Sequence, residues 1–596
     1  MSVRREARLP SYIRSTAIWI PATIIGLLMV PLAATRRSFG PDWTLHLWAV
    51  RQQQWNIEAT GHPGLFLSAK PLGAFYPIFA FVGSGIYSVG GYLAIVLGDR
   101  PIVAYKLLYL AGLALGYGGF TWLSVQFSLR GWRSQVPGAV LVTGAYFLTD
   151  MANRGDLGEF MAVASIPFLL AAICAVVKAP ATRLRHRLAT VVAVFVLTGG
   201  HTITLLWGSM FVVLLGVLAL LAWGPTWHRP LPWRRLGELS ALGAIGAGLN
   251  AWYLFPDLAY GLDTAVAKQS QRGMPGTTHV HLGLLLDPLR PTDRVTGFFS
   301  AFSGILRLSL PVLFFAWAIA LSVVLWREGD RVAKRLFVAL VIVAVAFVRL
   351  VVARDSWRFL PHVLYSIQFT YRLDSYVLLT TALLVTIALR WQATARDRVR
   401  RPTTIVLLTI LVFNVGAATW QVWGAQSRHV TRYGTPDTKG DRLVNEVVKS
   451  RYTTPPSWYS QGDFRDVSAP VVAFDPTRTM TVPLNEIHGS KFAGRLDVPD
   501  GPAPFLTNIA GGPRFVRMTG IHAVGRTRLG ALVVAARDRS APPVGPVAVT
   551  IEETDSAVLR SGAIVSIVSA LALLALVAWP ARRFLPRRRR ADRSVQ

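Results

Sequence analysis

The sequence predicts an all-α polytopic membrane protein of about 12 transmembrane helices, with a re-entrant or interfacial hairpin and a small β-rich domain outside the membrane. Three observations predict it. Of 596 residues, 52% are hydrophobic and 16% charged, with a mean hydropathy of +0.42, which excludes an ordinary water-soluble enzyme. Apolar runs near the roughly 20 residues that cross a bilayer recur along the chain. Between them, Lys and Arg gather in alternate turns, the pattern that orients helices in a membrane.

In chain order the candidate spans lie at about 16–34, 104–126, 137–150, 160–177, 189–203, 205–223, 238–256, 306–326, 336–352, 374–389, 403–422 and 558–579. The first lacks a small-residue cleavage site and reads as a retained helix. A further apolar run, 75–97, opens with Phe75-Tyr76-Pro77 and is interrupted by Gly83, Gly85, Gly90 and Gly91. Arg4, Arg5, Arg8 and Arg14 place the N-terminus in the cytoplasm. If 75–97 does not cross, each later basic turn falls on that same side, from Arg130 and Arg133 to the tail beginning at Arg582. The run is therefore read as a helical hairpin on the outer face.

Three regions follow. Residues 1–423 form the transmembrane domain, with 35–103 as a first outer loop carrying interfacial helices. Residues 424–556 form an extracytoplasmic β-rich domain, read from short alternating runs such as Phe515-Val516-Arg517-Met518 and Ala531-Leu532-Val533-Val534. Residues 557–596 give a final helix and a basic cytoplasmic tail. Most of the +31 net charge is thus a topological address, and Arg587 to Arg590 anchor the tail on anionic lipid. The sequence holds no nucleic-acid module and no phosphate-cradling glycine loop, so no nucleic-acid partner is expected. A single cysteine, Cys174, excludes an intrachain disulfide and a Cys-based zinc site.

The informative charges are the few, of both signs, at the outer helix ends, where a charge is costly unless paired or solvated. Asp42 and His46 have the i, i+4 spacing of one helix face. The turn Asp150-Met151-Ala152-Asn153-Arg154-Gly155-Asp156-Leu157-Gly158-Glu159 packs both signs into one short stretch; Asp156 or Glu159 could cap the next helix or face the same cavity as Asp42. His201 follows Gly199-Gly200, and could equally be a packing residue. Gln368 and Arg372 precede the tenth helix, where an Arg at the water boundary suits a phosphate.

Taken in order, Asp42-x-x-x-His46, Phe75-Tyr76-Pro77, Arg154-Gly155-x-x-x-Glu159, His201 and Ile367-Gln368-Phe369-x-x-Arg372 resemble a family of large bacterial membrane proteins labelled 6-pyruvoyl-tetrahydropterin-synthase-related. That family looks like part of the GT-C superfamily of polytopic glycosyltransferases. The resemblance covers about residues 16–390. Two motifs depart from it: a Tyr-Pro-Pro is Tyr76-Pro77-Ile78 here, and a Gln-Phe-Pro-Trp-Arg is Gln368-Phe369-Thr370-Tyr371-Arg372.

The resemblance implies a GT-C-like enzyme of the bacterial plasma membrane, transferring a sugar from a polyprenyl-phosphate donor to a glycan or glycolipid acceptor on the outer face. It implies Asp42 as catalytic base with His46 and Glu159 beside it, and Arg372 with Gln368 on the donor phosphate. Arg154, Asp156, His201 and Tyr76 would position substrate. It fixes no cofactor; a divalent metal cation, if one is held, would sit on Asp42 and Glu159. Two other classes stay open: a transporter or flippase of lipid-linked sugars, which should place ionisable residues at mid-membrane, and a non-catalytic cell-envelope scaffold.

Overall fold

The computed structural model describes residues 11–34, 42–178 apart from short stretches between 66 and 82, 182–223, 233–264, 280–287 and 307–433 apart from 368. Further on it describes 469–472, the strands given below and the last helix, with a few neighbouring residues. The helices are α1 (Ser11–Ala34), α2 (Trp43–Thr60), α3 (Ser84–Val96), α4 (Pro101–Gln126), α5 (Trp132–Val142), α6 (Ala145–Leu148), α7 (Leu157–Lys178), α8 (Leu184–Gly200) and α9 (Thr202–Trp223). They continue with α10 (Trp233–Gly248), α11 (Ala251–Tyr260), α12 (Leu282–Leu286), α13 (Val312–Val324), α14 (Arg331–Val352), α15 (Asp374–Thr394), α16 (Asp397–Tyr433) and α17 (Ala557–Ala581).

Among the described residues, seven helices are long and apolar enough to cross a bilayer: α4, α7, α9, α14, α15 with the turn before it, α16 and α17. The chain is a multi-pass membrane protein. Several of the other runs expected to span are helical but short or broken, and the breaks have visible causes. The run 137–150 is divided among α5, α6 and a π-helical turn, Thr149–Arg154. The break falls at Gly144, where a Cβ would collide with the Leu378 side chain. The run 238–256 divides between α10 and α11 at Asn250, whose side-chain amide leaves its own helix to donate to Phe195 O at 2.9 Å and Thr198 Oγ1 at 2.8 Å.

The run 75–97 is not a helical hairpin. A short antiparallel pair, β1 (Leu67–Ala69) with β2 (Ala74–Tyr76), precedes a single helix, α3. At 13 residues that helix is about 20 Å long, too short for the apolar core of a bilayer. Its glycines answer a packing need. A Cβ on Gly91 would sit 2.8 Å from Gln54 N on α2, and one on Gly85 would sit 2.9 Å from Gly199 Cα on α8. Without side chains the three helix backbones can close on one another, which lodges α3 against the bundle.

The helix α15 lies at the centre, with its membrane-length segment wholly enclosed by protein, whereas only 11% of the corresponding segment of α17 is buried. Helix α17 docks on the α10–α11 break: Ser566 Oγ donates to Gly248 O at 3.0 Å and accepts from Trp252 N at 3.0 Å. Helix α16 runs on to Tyr433, past the boundary at 424 expected from composition. Beyond it, β3 (Asn485–His488), β4 (Lys491–Val498), β9 (Gly545–Glu553) and β6 (Val516–Thr519) form one antiparallel sheet in that spatial order. A second antiparallel sheet has β5 (Phe505–Leu506), β8 (Leu532–Ala536) and β7 (Ile521–Arg526).

Candidate functional site

The site is assembled where α2, the π-helical turn, the start of α7 and the turn before α15 meet. Tyr146, Asp150 and Arg154 recur at intervals of four residues, and the wider π-helical winding of Thr149–Arg154 turns them onto one side. Windings of this kind are frequent at functional positions. Gln421 of α16 holds the turn, donating to Ala145 O at 2.9 Å and lying 3.1 Å from Asn153 Oδ1. The turn ends at Gly155, whose φ of +81° suits a residue without Cβ. Tyr105 on α4 then donates to Gly155 O at 2.7 Å.

Arg154 is the hub. Its Nε lies 3.2 Å from Asp42 Oδ2, Nη1 lies 3.0 Å from Asp150 Oδ1 and 3.2 Å from Glu159 Oε2, and Nη2 lies 2.9 Å from Asp156 Oδ2. Its side chain is 5% exposed. A guanidinium suits this task because it offers five N–H donors in a fixed plane, and a cation so deeply buried is tolerable only when paired and hydrogen-bonded. Backbone contacts add to this, with Asp42 N donating to Arg154 O at 2.9 Å.

Around the hub, each acidic group has a distinct setting. Glu159 accepts from Tyr146 OH at 2.8 Å and pairs with Arg372 Nε at 3.1 Å, so it is shared between two arginines. Asp156 accepts from Glu159 N at 3.0 Å and thereby caps α7, while also facing Arg154 and, at 3.6 Å, His46 Nε2. Burial alone would raise the Asp156 pKa, but His46, Arg154, His201 and Arg372 around it hold the carboxyl well below its ordinary range. Asp42 differs from the rest: its side chain is 27% exposed, against 4% or less for Asp150, Asp156 and Glu159.

Of the residues singled out from sequence, Asp42, His46, Arg154, Asp156, Glu159 and Arg372 thus stand together. The Asp42–His46 spacing turns both toward Arg154 and Asp156, and His46 Nδ1 lies 2.5 Å from Tyr87 OH on α3. His201 joins α8 to α9 beside them, its Nδ1 accepting from Thr204 N at 3.2 Å and lying 2.9 Å from Thr204 Oγ1. Tyr76 ends β2, with its side chain outside the described residues, and Gln368 also lies outside them. Tyr146 and Tyr87 were missed as site residues because tyrosines inside apolar runs read as core. For Asp150, which lies in the charged turn, the sequence signal is the Tyr146-x-x-x-Asp150-x-x-x-Arg154 spacing.

The two carboxylates expected to share a divalent cation, Asp42 and Glu159, here meet at one guanidinium. The Arg154 guanidinium contacts both carboxylates, and among the described residues no group of three or more His, Cys, Asp or Glu is arranged to hold a metal. Behind Arg372 a small cavity of about 10 Å³ is lined by Glu159, Thr204, Trp207, Arg372, Ser375 and Tyr376, among others. Trp207 Nε1 and Ser375 Oγ are buried and have no hydrogen-bond partner among the described residues. Buried donors normally have partners, and the space beside these two has room for about one water molecule.

No family model and no curated protein matches the chain, and the narrower family named from the motifs gains no support. Among solved structures the chain is similar to the arabinofuranosyltransferase AftD from mycobacteria, at 15% identity and a TM-score of 0.41, over 69% of this chain and 27% of that one. It is similar also to ArnT from Cupriavidus metallidurans bound to undecaprenyl phosphate, at 12% identity and a TM-score of 0.40, over 89% of this chain and 99% of that one. The apo state of ArnT gives 12% identity, a TM-score of 0.40 and coverage of 88% and 98%. The chain therefore spans little more than a quarter of the length of AftD.

Proposed function

We propose that this chain is an integral membrane glycosyltransferase. It moves a sugar from a polyprenyl-phosphate donor to a hydroxyl of a cell-envelope glycan or glycolipid, on the extracytoplasmic side of the bacterial plasma membrane. The observation that carries the reading is the contrast within the cluster: around one buried guanidinium, Asp42 alone of the four carboxylates is substantially open. A carboxylate that is held in place yet reachable is what a general base requires. The gathering of these charges at one end of the bundle favours a one-sided enzyme over a transporter, whose ionisable groups would line a path through the membrane.

In this mechanism the acceptor hydroxyl gives its proton to Asp42 as its oxygen bonds to the anomeric carbon of the sugar. The bond from that carbon to the phosphate oxygen breaks, and polyprenyl phosphate leaves. Arg154 orients Asp42, and Arg372 receives the growing charge on the phosphate. His46, set by Tyr87, binds a sugar hydroxyl or steadies the base.

Two substitutions test this. Asp42→Asn keeps the shape and removes the base, so transfer from radiolabelled polyprenyl-phosphate sugars in membranes should fall by about 100-fold or more, with expression and monodisperse elution unchanged. Wild-type turnover by that variant would overturn the assignment. Arg372→Ala should raise the KM for donor far more than for acceptor, and equal effects on both would remove the phosphate role.

A further inference from the structure

The far ends of α4 and α7 carry a feature that the transfer chemistry does not use. Helix α7 starts at the carboxylate cluster and ends at Lys178. Its 22 residues span about 33 Å, the thickness of the apolar core of a bilayer. At that far end α4, α7 and the start of α8 enclose a groove of about 880 Å³. Trp122, Val125 and Phe168 contribute apolar wall, with the rings of Trp122 and Phe168 5.4 Å apart. Val125, 50% exposed on a membrane-length helix, opens the wall toward lipid. The rim is basic, with Lys178, Arg183 and Arg185.

Among the described residues the rim charge has no carboxylate partner. Glu238 is the carboxylate nearby, and it is engaged by Arg187 at 2.8 Å and Arg235 at 2.9 Å and accepts from Thr182 at 3.0 Å. Among the described residues no carboxylate pairs with Lys178, Arg183 or Arg185; Lys178 Nζ donates to Gln126 O at 2.7 Å. His186, on the same groove, has its ring 6.0 Å from that of Trp122, and its Nδ1 is buried without a hydrogen-bond partner among the described residues. A turn that served only to orient the helices would need the charge but no apolar hollow beneath it.

We propose that this groove is a binding site for an anionic phospholipid. Arg183, Arg185 and Lys178 grip the headgroup phosphate, and the Trp122–Phe168 wall takes the start of an acyl chain. The site lies a membrane thickness from the carboxylate cluster and does not depend on the transferase reading.

The test uses the full chain in detergent with equal amounts of phosphatidylglycerol and phosphatidylcholine, and native mass spectrometry to count retained lipids. The wild type should keep phosphatidylglycerol in preference. The triple variant Lys178→Gln, Arg183→Gln, Arg185→Gln should lose that preference by about tenfold. The double variant Arg331→Gln, Arg335→Gln is the control: the Arg390–Asp330 pair at 3.2 Å ties the start of α14 to the end of α15 remote from Arg372, so its charges lie at the same end of the bundle. This control should retain lipid like the wild type. Equal loss in both variants would show diffuse surface charge and overturn the proposal, as would equal retention of the two lipids. Displacement of the lipid by millimolar inorganic phosphate alone would overturn it too, by showing a site for free phosphate.

Discussion

At the scale of single residues, Arg154 connects groups that are distant in the chain, with Asp42 on one side and Glu159 on the other. Asp156 gives this a measurable consequence. Its folded pKa lies below the unfolded value of about 3.9, because surrounding cations outweigh its burial. Its charge therefore contributes stability above the unfolded pKa, and that contribution fades as pH falls toward the folded value. Asp156→Asn keeps a residue able to cap α7 while removing the charge. In detergent the wild type should melt above this variant at pH 7, with the gap narrowing below about pH 4; a gap independent of pH would mean that Asp156 acts through its cap alone. At this scale the sequence was informative: charges of both signs at apolar helix ends are rare enough to mark Asp42, Arg154, Glu159 and Arg372. Their pairing was not legible, because which carboxylate meets which guanidinium depends on distances across helices.

At the scale of elements, close approach governs. The glycines of α3 that suggested interruption in the sequence instead permit contact with α2 and α8, since a missing side chain says that something is near without saying what. Gly85→Ala would push a methyl group onto Asn250 Oδ1 and Gly199 Cα, at a cost of about 1–3 kcal/mol. Gly118→Ala on α4, with nothing within 4 Å of the added carbon, should be neutral or slightly stabilising, because Ala is the better helix former. Thermal unfolding of the two purified variants would distinguish them, and equal melting temperatures would remove the packing argument. The break at Gly144 and the π-helical turn were hidden for a related reason: 137–148 is apolar apart from Thr143, and hydropathy does not register a change of helical pitch.

At the scale of the whole molecule, polarity separates along the bundle, with the carboxylate–arginine cluster at one end of α7 and the basic groove at the other. Sequence alone made this separation legible, because charge excluded from the apolar interior collects at its boundaries. It could not show which helices face lipid, since apolar side chains serve protein and bilayer alike. Leu379 on α15 is fully buried, whereas Leu571 on α17 is 59% exposed. Leu379→Ala should cost about 2–5 kcal/mol through the cavity it leaves, and Leu571→Ala much less, both read from melting in a common detergent; equal losses would deny that α15 is the interior helix. The complete enclosure of α15 also bears on biogenesis. A helix that ends with no lipid neighbour must still enter the bilayer as an apolar segment, so its hydropathy serves a transient solvent. Once inside, it exchanges acyl chains for protein, and the cluster near its first turn is completed only when that exchange has occurred.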